Sequence, residues 1–168
     1  LSTPVTAWVL EEACRQCRRL HDMGVTGLRI NVNISSQSFY QDGLVDAVSG
    51  ALERTGLAAG HLVLEVTESL LLEDQVHVQQ TLEALRRLGV AIAIDDFGTG
   101  YSSLAYLRRL PVDILKIDRS FIVDVGRDER DAALVSAMLA MAQELHLDVV
   151  AEGVEQWRQL DFLRQRHC

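Results

Sequence analysis

The amino-acid sequence predicts an α/β fold built on a parallel sheet, and three observations support this. Short apolar runs alternate with longer segments of helical periodicity along the chain. The run at residues 90–94 is apolar at every position, which is typical of a strand covered on both sides. Each strand-like run also ends in a polar residue. Both a doubly wound open sheet and a β/α barrel fit this alternation.

Local signals support the individual elements in order. The first helical pattern has Thr3 or Thr6 as a candidate N-cap and Gly24 beyond its end. Two later helices end at glycine or proline, at Gly89 and Pro111. The resulting order is one helix followed by five strand–helix units. Helices are predicted at 5–20, 44–54, 75–88, 103–110, 129–145 and from 156 onward, and strands at 28–34, 62–66, 90–94, 112–117 and 147–151.

The polar residues at the strand ends favour the barrel over the open sheet. In a barrel the carboxyl ends of all strands converge on one face, whereas an open sheet uses only those at its switch point. We therefore predict a modified (β/α)8 TIM-type barrel, of which this chain supplies about five units. Because such a barrel takes eight strands and about 250 residues, residues 1–168 are expected to form a single domain with its N- and C-terminal portions missing. The strand-end residues are Asn33, Glu65, Asp95, Asp96, Lys116 and Glu152.

The composition excludes several classes of protein. The 168 residues are 48% apolar and 24% charged, which is ordinary for a globular domain. The net charge of −8 argues against binding a nucleic acid polymer, because that requires a basic surface. Three cysteines do not form a disulfide framework, so a cytoplasmic location is expected.

The strand-end carboxylates predict a metal site. Four carboxylates brought together repel one another unless protons or cations are bound. Mg²⁺ and Mn²⁺ prefer oxygen ligands, so carboxylates with an asparagine carbonyl suit them. Adjacent Asp95 and Asp96 can place one carboxylate between two ions, as in two-metal phosphodiester cleavage. Lys116 would hold water or phosphate as a fixed positive charge, and Glu152 would bind metal or accept a proton.

Five segments resemble the EAL family of cyclic di-GMP phosphodiesterases. They lie on or beside the predicted strands and cover essentially the whole chain. Their order, spacing and strand-end positions all agree with the family pattern. The segments are NVNIS at 31–35, LEVTE at 64–68, DDFGTGYSSL at 95–104, LPVDILKID at 110–118 and VAEGVE at 150–155.

The resemblance implies a bacterial signalling enzyme that hydrolyses cyclic di-GMP to linear pGpG with a divalent-metal-activated water. It implies metal ligands at Asn33, Glu65, Asp95 and Asp96, with Lys116 and Glu152 at the water and two Mg²⁺ or Mn²⁺ ions. Glu68 would anchor the loop through Phe97 that orders the metal site and contributes to a homodimer. Further loop and substrate-supporting positions would be Gly98, Thr99, Gly100, Ser102, Asp118 and Glu155.

The resemblance also implies a larger parent, fused to diguanylate cyclase-like or sensory domains and open to membrane anchoring. A catalytically inactive cyclic di-GMP receptor is the nearest alternative, although receptors of this family generally lose ligand residues. From chemistry alone, a lone lysine at a strand end also fits a Schiff-base aldolase. Neighbouring carboxylates oppose that reading, because they keep the amine protonated.

Overall fold

Helices and strands alternate along residues 2–100 and 104–168, which are the residues that the computed structural model describes. The strands are β1 (Ile30–Asn33), β2 (Leu62–Thr67), β3 (Ala91–Phe97), β4 (Ile114–Ile117) and β5 (Asp148–Ala151). The helices are α1 (Ser2–Asp22), α2 (Ser36–Phe39), α3 (Leu44–Thr55), α4 (Glu68–Leu71), α5 (Gln75–Arg87), α6 (Leu104–Leu107), α7 (Arg119–Ile122), α8 (Glu129–Glu144) and α9 (Trp157–Arg164).

The described strands form one sheet in the order β1-β2-β3-β4-β5, and every neighbouring pair is parallel. Spatial order therefore follows chain order without a reversal. A doubly wound sheet reverses its order at a switch point, whereas a β/α barrel adds each strand beside the previous one. The sheet is therefore part of a β/α barrel, and the predicted fold class is confirmed.

The two faces of the sheet have different partners. Alternate strand residues such as Leu64, Ile92 and Leu115 are fully buried against helix residues such as Leu82. We call this side the helix face. Burying a leucine or isoleucine side chain contributes about 1.5–3 kcal/mol, so this layer holds most of the core.

On the opposite side, the buried residues Val63, Ala93 and Ile114 form a cluster made of strand residues alone, with Ala91 against it. We call this side the site face. Helices covering only one face are the arrangement of a barrel, in which the other face points inward. The site face continues toward the carboxyl ends of the strands with polar residues in place of apolar ones.

Several elements differ from the sequence prediction in length. Strand β3 extends to Phe97, so Asp95 and Asp96 belong to the strand itself. Of the helix predicted at 103–110, residue 103 lies outside the described residues, and the part from 104 onward forms only the four residues of α6. Short helices α2, α4 and α7 directly follow strands, and α2 and α7 begin at capping side chains of Ser35 and Asp118. Such one-turn helices are too short to show helical periodicity.

None of the helices in the described part of the chain combines the length and the apolar character needed to cross a membrane.

Candidate active site

Strand register brings four of the predicted site residues, Asn33, Glu65, Asp95 and Lys116, onto the site face. Asn33 lies opposite Glu65, and Thr67 lies opposite Asp95. Residues two apart on a strand share a face, so Lys116 continues the row from Ile114, which neighbours the buried Ala93. Period-two alternation therefore places these side chains at the carboxyl ends of neighbouring strands.

Lys116 is the centre of the site. Its Nζ lies 2.7 Å from Asp95 Oδ1, 2.7 Å from Glu152 Oε1 and 3.0 Å from Glu65 Oε2. The Lys116 and Glu65 residues are only 7% and 4% exposed. An ammonium group has three donors, and here each has a carboxylate partner from a different strand or strand end. The site is a buried cation surrounded by three carboxylates.

This arrangement fixes the protonation of Lys116. Burial lowers the pKa of the amine, but the hydrogen bonds that the ammonium donates to Asp95, Glu152 and Glu65 outweigh burial and hold the pKa above its usual value. The amine is therefore a permanent positive charge near neutral pH. A Schiff-base lysine requires the free amine, so this geometry argues against the aldolase alternative.

Asn31 is a site residue that the sequence reasoning missed. Its Nδ2 donates a hydrogen bond to Glu65 Oε1 at 2.7 Å. Glu65 is thus held by Asn31 through one oxygen and by Lys116 through the other. The signal was present in the sequence, because Asn31 lies two residues before Asn33 and period two places both on one strand face.

Asp96 lies at an irregular point of strand β3. The pairing of β3 with β4 shifts between Ile94 and Phe97, and Asp96 adopts a left-handed backbone with φ 55°. Burial raises the pKa of Asp96, and the negative charges of Asp95, Asp118 and Glu152 raise it further. The bulge gives Asp96 a different direction from Asp95, and an excess of negative charge surrounds it.

Glu68 anchors the loop that follows β3. The residue is 2% exposed, and its Oε2 accepts N–H hydrogen bonds from Gly98 at 2.8 Å and Gly100 at 3.3 Å. The Thr99 hydroxyl donates to the Asp96 carbonyl at 2.8 Å. Phe97 is buried in the helix-face core. Ser102 lies outside the described residues.

Gly98 is required by the shape of this loop. Its φ of +100° is a conformation that side-chain-bearing residues rarely adopt. A Cβ placed on it would lie 2.6 Å from Met138 Cε and 2.7 Å from the Phe121 ring. The loop therefore depends on a glycine at this position.

Asp118 and Glu155 lie outside the contacts of Lys116. Asp118 caps α7 by accepting hydrogen bonds from the Ser120 hydroxyl and N–H, and these lower its pKa. Glu155 forms an exposed ion pair with Arg119, in which the nearest atoms are 2.9 Å apart. The structure thus brings Glu65, Asp95, Lys116 and Glu152 into contact. Asp118 and Glu155 instead lie in the segments that follow β4 and β5.

The donor set is chemically suited to a hard divalent cation, because carboxylate and amide oxygens are the ligands that Mg²⁺ and Mn²⁺ prefer. Among the described residues, however, no three His, Cys, Asp or Glu side chains are arranged to hold a metal ion by themselves. Glu65, Asp95 and Glu152 converge on the Lys116 ammonium instead. The type of ligand fits a metal, and Lys116 is the cation at the centre in this arrangement.

A parallel sheet with helices on one face and acidic residues at its carboxyl ends defines a β/α-barrel protein with a carboxylate-rich site. More specifically, the chain belongs to the EAL family, because the EAL domain model matches residues 1–168.

Curated relatives and solved structures agree with this assignment. The chain is 56% identical over 161 residues to cyclic di-GMP phosphodiesterase NbdA of Pseudomonas aeruginosa, covering 96% of this chain and 21% of that protein. It is 50% identical over 168 residues to the bifunctional diguanylate cyclase/cyclic di-GMP phosphodiesterase MucR of the same organism, covering 100% of this chain and 24% of MucR. The chain thus spans about a fifth to a quarter of these relatives.

Among solved structures, the chain resembles the PaMucR phosphodiesterase in complex with c-di-GMP. The TM-score is 0.94 at 50% identity, covering 98% of this chain and 67% of that one. It also resembles the EAL domain of Mycobacterium smegmatis DcpA, with a TM-score of 0.91 at 42% identity, covering 96% of this chain and 73% of that one.

Proposed function

We propose that the protein hydrolyses cyclic di-GMP to linear pGpG in bacterial second-messenger signalling. The observation that carries this proposal is the convergence of Glu65, Asp95 and Glu152 on the Lys116 ammonium at the carboxyl ends of the strands. In β/α-barrel enzymes this end of the barrel holds the chemistry. The proposal is supported by relatives that are named as cyclic di-GMP phosphodiesterases at 56% and 50% identity.

The proposed cofactor is a pair of divalent ions, either Mg²⁺ or Mn²⁺. Asn33, Glu65, Asp95 and Asp96 would supply oxygen ligands, and Glu152 would act as a further ligand or as the general base. When bound, such ions activate a water molecule and neutralise charge on the phosphodiester. The negative charge around Asp96 supports this assignment, because a bound cation would offset it.

The chain's own residues have separate roles in this proposal. The permanent positive charge of Lys116 Nζ would attract the phosphate oxygens and the attacking water once bound ions draw away the carboxylates that occupy its three donors in the structure. Glu152, the most exposed of the three carboxylates that contact Lys116, is best placed to take a proton from that water. Glu68 fixes the loop at Gly98 and Gly100 and so keeps the edge of the site in one conformation.

We further propose that residues 1–168 are the central part of one barrel domain in a longer protein. Support comes from the five-stranded order of the sheet, because a barrel of this class closes with eight strands. We also propose that this domain is fused to a diguanylate cyclase-like or sensory domain, that it is located in the cytoplasm, and that it forms a homodimer. The bifunctional name of the relative MucR supports the fusion.

The test is to incubate the full-length protein with cyclic di-GMP and Mn²⁺ and to follow linear pGpG by chromatography, with a chelator control. Metal-dependent product is the expected result. A folded protein that binds the nucleotide without cleaving it would refute hydrolysis and identify the receptor alternative. That alternative is not favoured, because Asn33, Glu65, Asp95, Asp96 and Glu152 are all present.

A further inference from the structure

Gln159 is a buried polar residue to which the proposed chemistry assigns no role. It lies in helix α9 and is 2% exposed. Its Nε2 donates to the carbonyls of Ile122 at 3.0 Å and Val123 at 3.1 Å, and its Oε1 accepts the N–H groups of Glu155 and Gln156, both at 2.8 Å. An amide offers two donors and two acceptor positions, and all four are used here.

These four bonds join the two loops that leave the site. Ile122 and Val123 end helix α7, which begins just after β4, the strand that carries Lys116. Glu155 and Gln156 lie in the loop that follows β5 and begins with Glu152. Gln159 therefore connects the segment after the central cation with the segment after one of its carboxylates.

Glu152 depends on this loop for its position. Its N–H still donates to the Ile117 carbonyl at 3.1 Å, so the sheet holds the backbone on one side of the residue. Further along the chain, the backbone is held again where the N–H groups of Glu155 and Gln156 donate to Gln159 Oε1. The Glu152 side chain leaves the backbone between these two points and reaches Lys116 Nζ at 2.7 Å.

A second connection exists, but it is exposed. Arg119 crosses Gly153, where a Cβ would lie 2.3 Å from Arg119 Cγ, and its guanidinium pairs with Glu155. Both side chains of that ion pair are about 60% exposed, at 61% and 60%. Exposed pairs contribute little, whereas buried and fully hydrogen-bonded amides are costly to remove. Gln159 is therefore the stronger of the two connections.

We propose that Gln159 is a positioning residue that holds the Glu152 carboxylate against Lys116, and this rests on the hydrolytic function proposed above. Residues that orient the groups in contact with a metal or substrate typically matter by about 10–100-fold in activity. Gln159 acts through the backbone of residues 152–156, without itself reaching the site.

The first measurement is steady-state kinetics on the full-length protein with Gln159→Leu, using cyclic di-GMP and Mn²⁺. The expected result is a fall in kcat of about 10–100-fold with KM changed about twofold or less. Gln79→Leu is the matched control, because Gln79 is exposed and its side chain donates to Glu83 on the same helix. An unchanged kcat in folded Gln159→Leu protein, or a loss confined to KM, would overturn the inference.

The second measurement separates positioning from general stability. If Gln159 acts through Glu152, then Gln159→Leu should have little further effect on kcat in a Glu152→Asp background, where the carboxylate is already displaced. Simple additivity of the two effects would contradict this route. If the leucine variant does not fold, Gln159→Glu replaces it in the test. This variant keeps the acceptor oxygen and loses the two N–H donors to Ile122 and Val123, and it should also lower kcat.

Hydrogen exchange gives a readout that does not require activity. In Gln159→Leu protein, the amides of residues 152–156 should exchange faster than in the unsubstituted protein, while those of α5 remain unchanged. Equal exchange at 152–156 would refute the inference even if the protein proves inactive. Failure of the unsubstituted protein to cleave cyclic di-GMP would instead refute the proposed function alone.

Discussion

Replacing Lys116 by methionine tests whether the buried cation holds the site together. The exposed fractions of the Glu65, Asp95 and Glu152 side chains are 5%, 14% and 34%. Removing one partner of a buried ion pair costs about 3–5 kcal/mol, because the other charge is left buried and unpaired. Since Glu152 is partly solvated, the estimate rests on the other two carboxylates. We expect Lys116→Met to lower the free energy of unfolding at pH 7.5 by about 3–5 kcal/mol.

The pH dependence of this loss has a defined sign. In the unsubstituted protein the folded pKa of Lys116 is raised, so its stabilisation is fully present below the unfolded lysine pKa of about 10.4. It is lost only as the pH rises through the folded value. In Lys116→Met, the carboxylates repel one another without the cation that offsets them, and protonation relieves this repulsion, so the variant should regain stability in acid. The deficit should therefore be larger at pH 7.5 than at pH 5.

Urea unfolding followed by far-ultraviolet circular dichroism measures this loss. Tryptophan fluorescence is less suitable, because Trp8 and Trp157 are 66% and 78% exposed in the folded protein. Arg18→Met is the control, since it removes a cation from an exposed ion pair with Asp22 and should change stability much less. Equal stability of Lys116→Met and the unsubstituted protein at pH 7.5, or a deficit independent of pH, would refute the reasoning.

Three further substitutions test other parts of the site. Glu68→Ala removes the acceptor for the loop at Gly98 and should lower kcat by about 10–100-fold while circular dichroism stays unchanged; full activity would argue against the anchor. Gly98→Ala forces a Cβ against Met138 and should lower the unfolding free energy by about 1–3 kcal/mol in a urea titration; an unchanged midpoint would contradict the loop geometry. Asp95→Ala should reduce turnover by orders of magnitude at saturating Mn²⁺ without unfolding the barrel; near-normal hydrolysis would remove Asp95 from the proposed ligands.

The sequence predicted the layers of the fold because its periodicity reports burial. The fully apolar run at 90–94 indicated a buried strand, and in β3 Ile92 and Ile94 are buried on the helix face while Ala93 is buried in the cluster on the site face. The polar strand ends also correctly located Glu65, Asp95, Lys116 and Glu152 at one edge of the sheet. Local pattern was sufficient for these features, since strand alternation fixes which side chains share a face.

Contacts between distant segments could not be predicted in this way. The contact of Glu68 with the loop 30 residues away was expected only from the family resemblance, and nothing in the sequence indicated that Gln159 reaches carbonyls 36 and 37 residues away. Such contacts depend on how helices pack after the sheet forms, which no short pattern encodes. The backbone irregularity at Asp96 is likewise set by the changed register of β3 against β4.

The separation of the helix face from the site face has an evolutionary consequence. Most of the buried leucines and isoleucines of the strands pack on the helix face, whereas Glu65, Asp95 and Lys116 lie on the site face. Each of those groups is supplied by its own strand or strand end, so a single codon change can remove one of them while the packing layer stays intact. Descendants of such a domain can therefore lose turnover in one step, remain folded, and be retained by selection for another task.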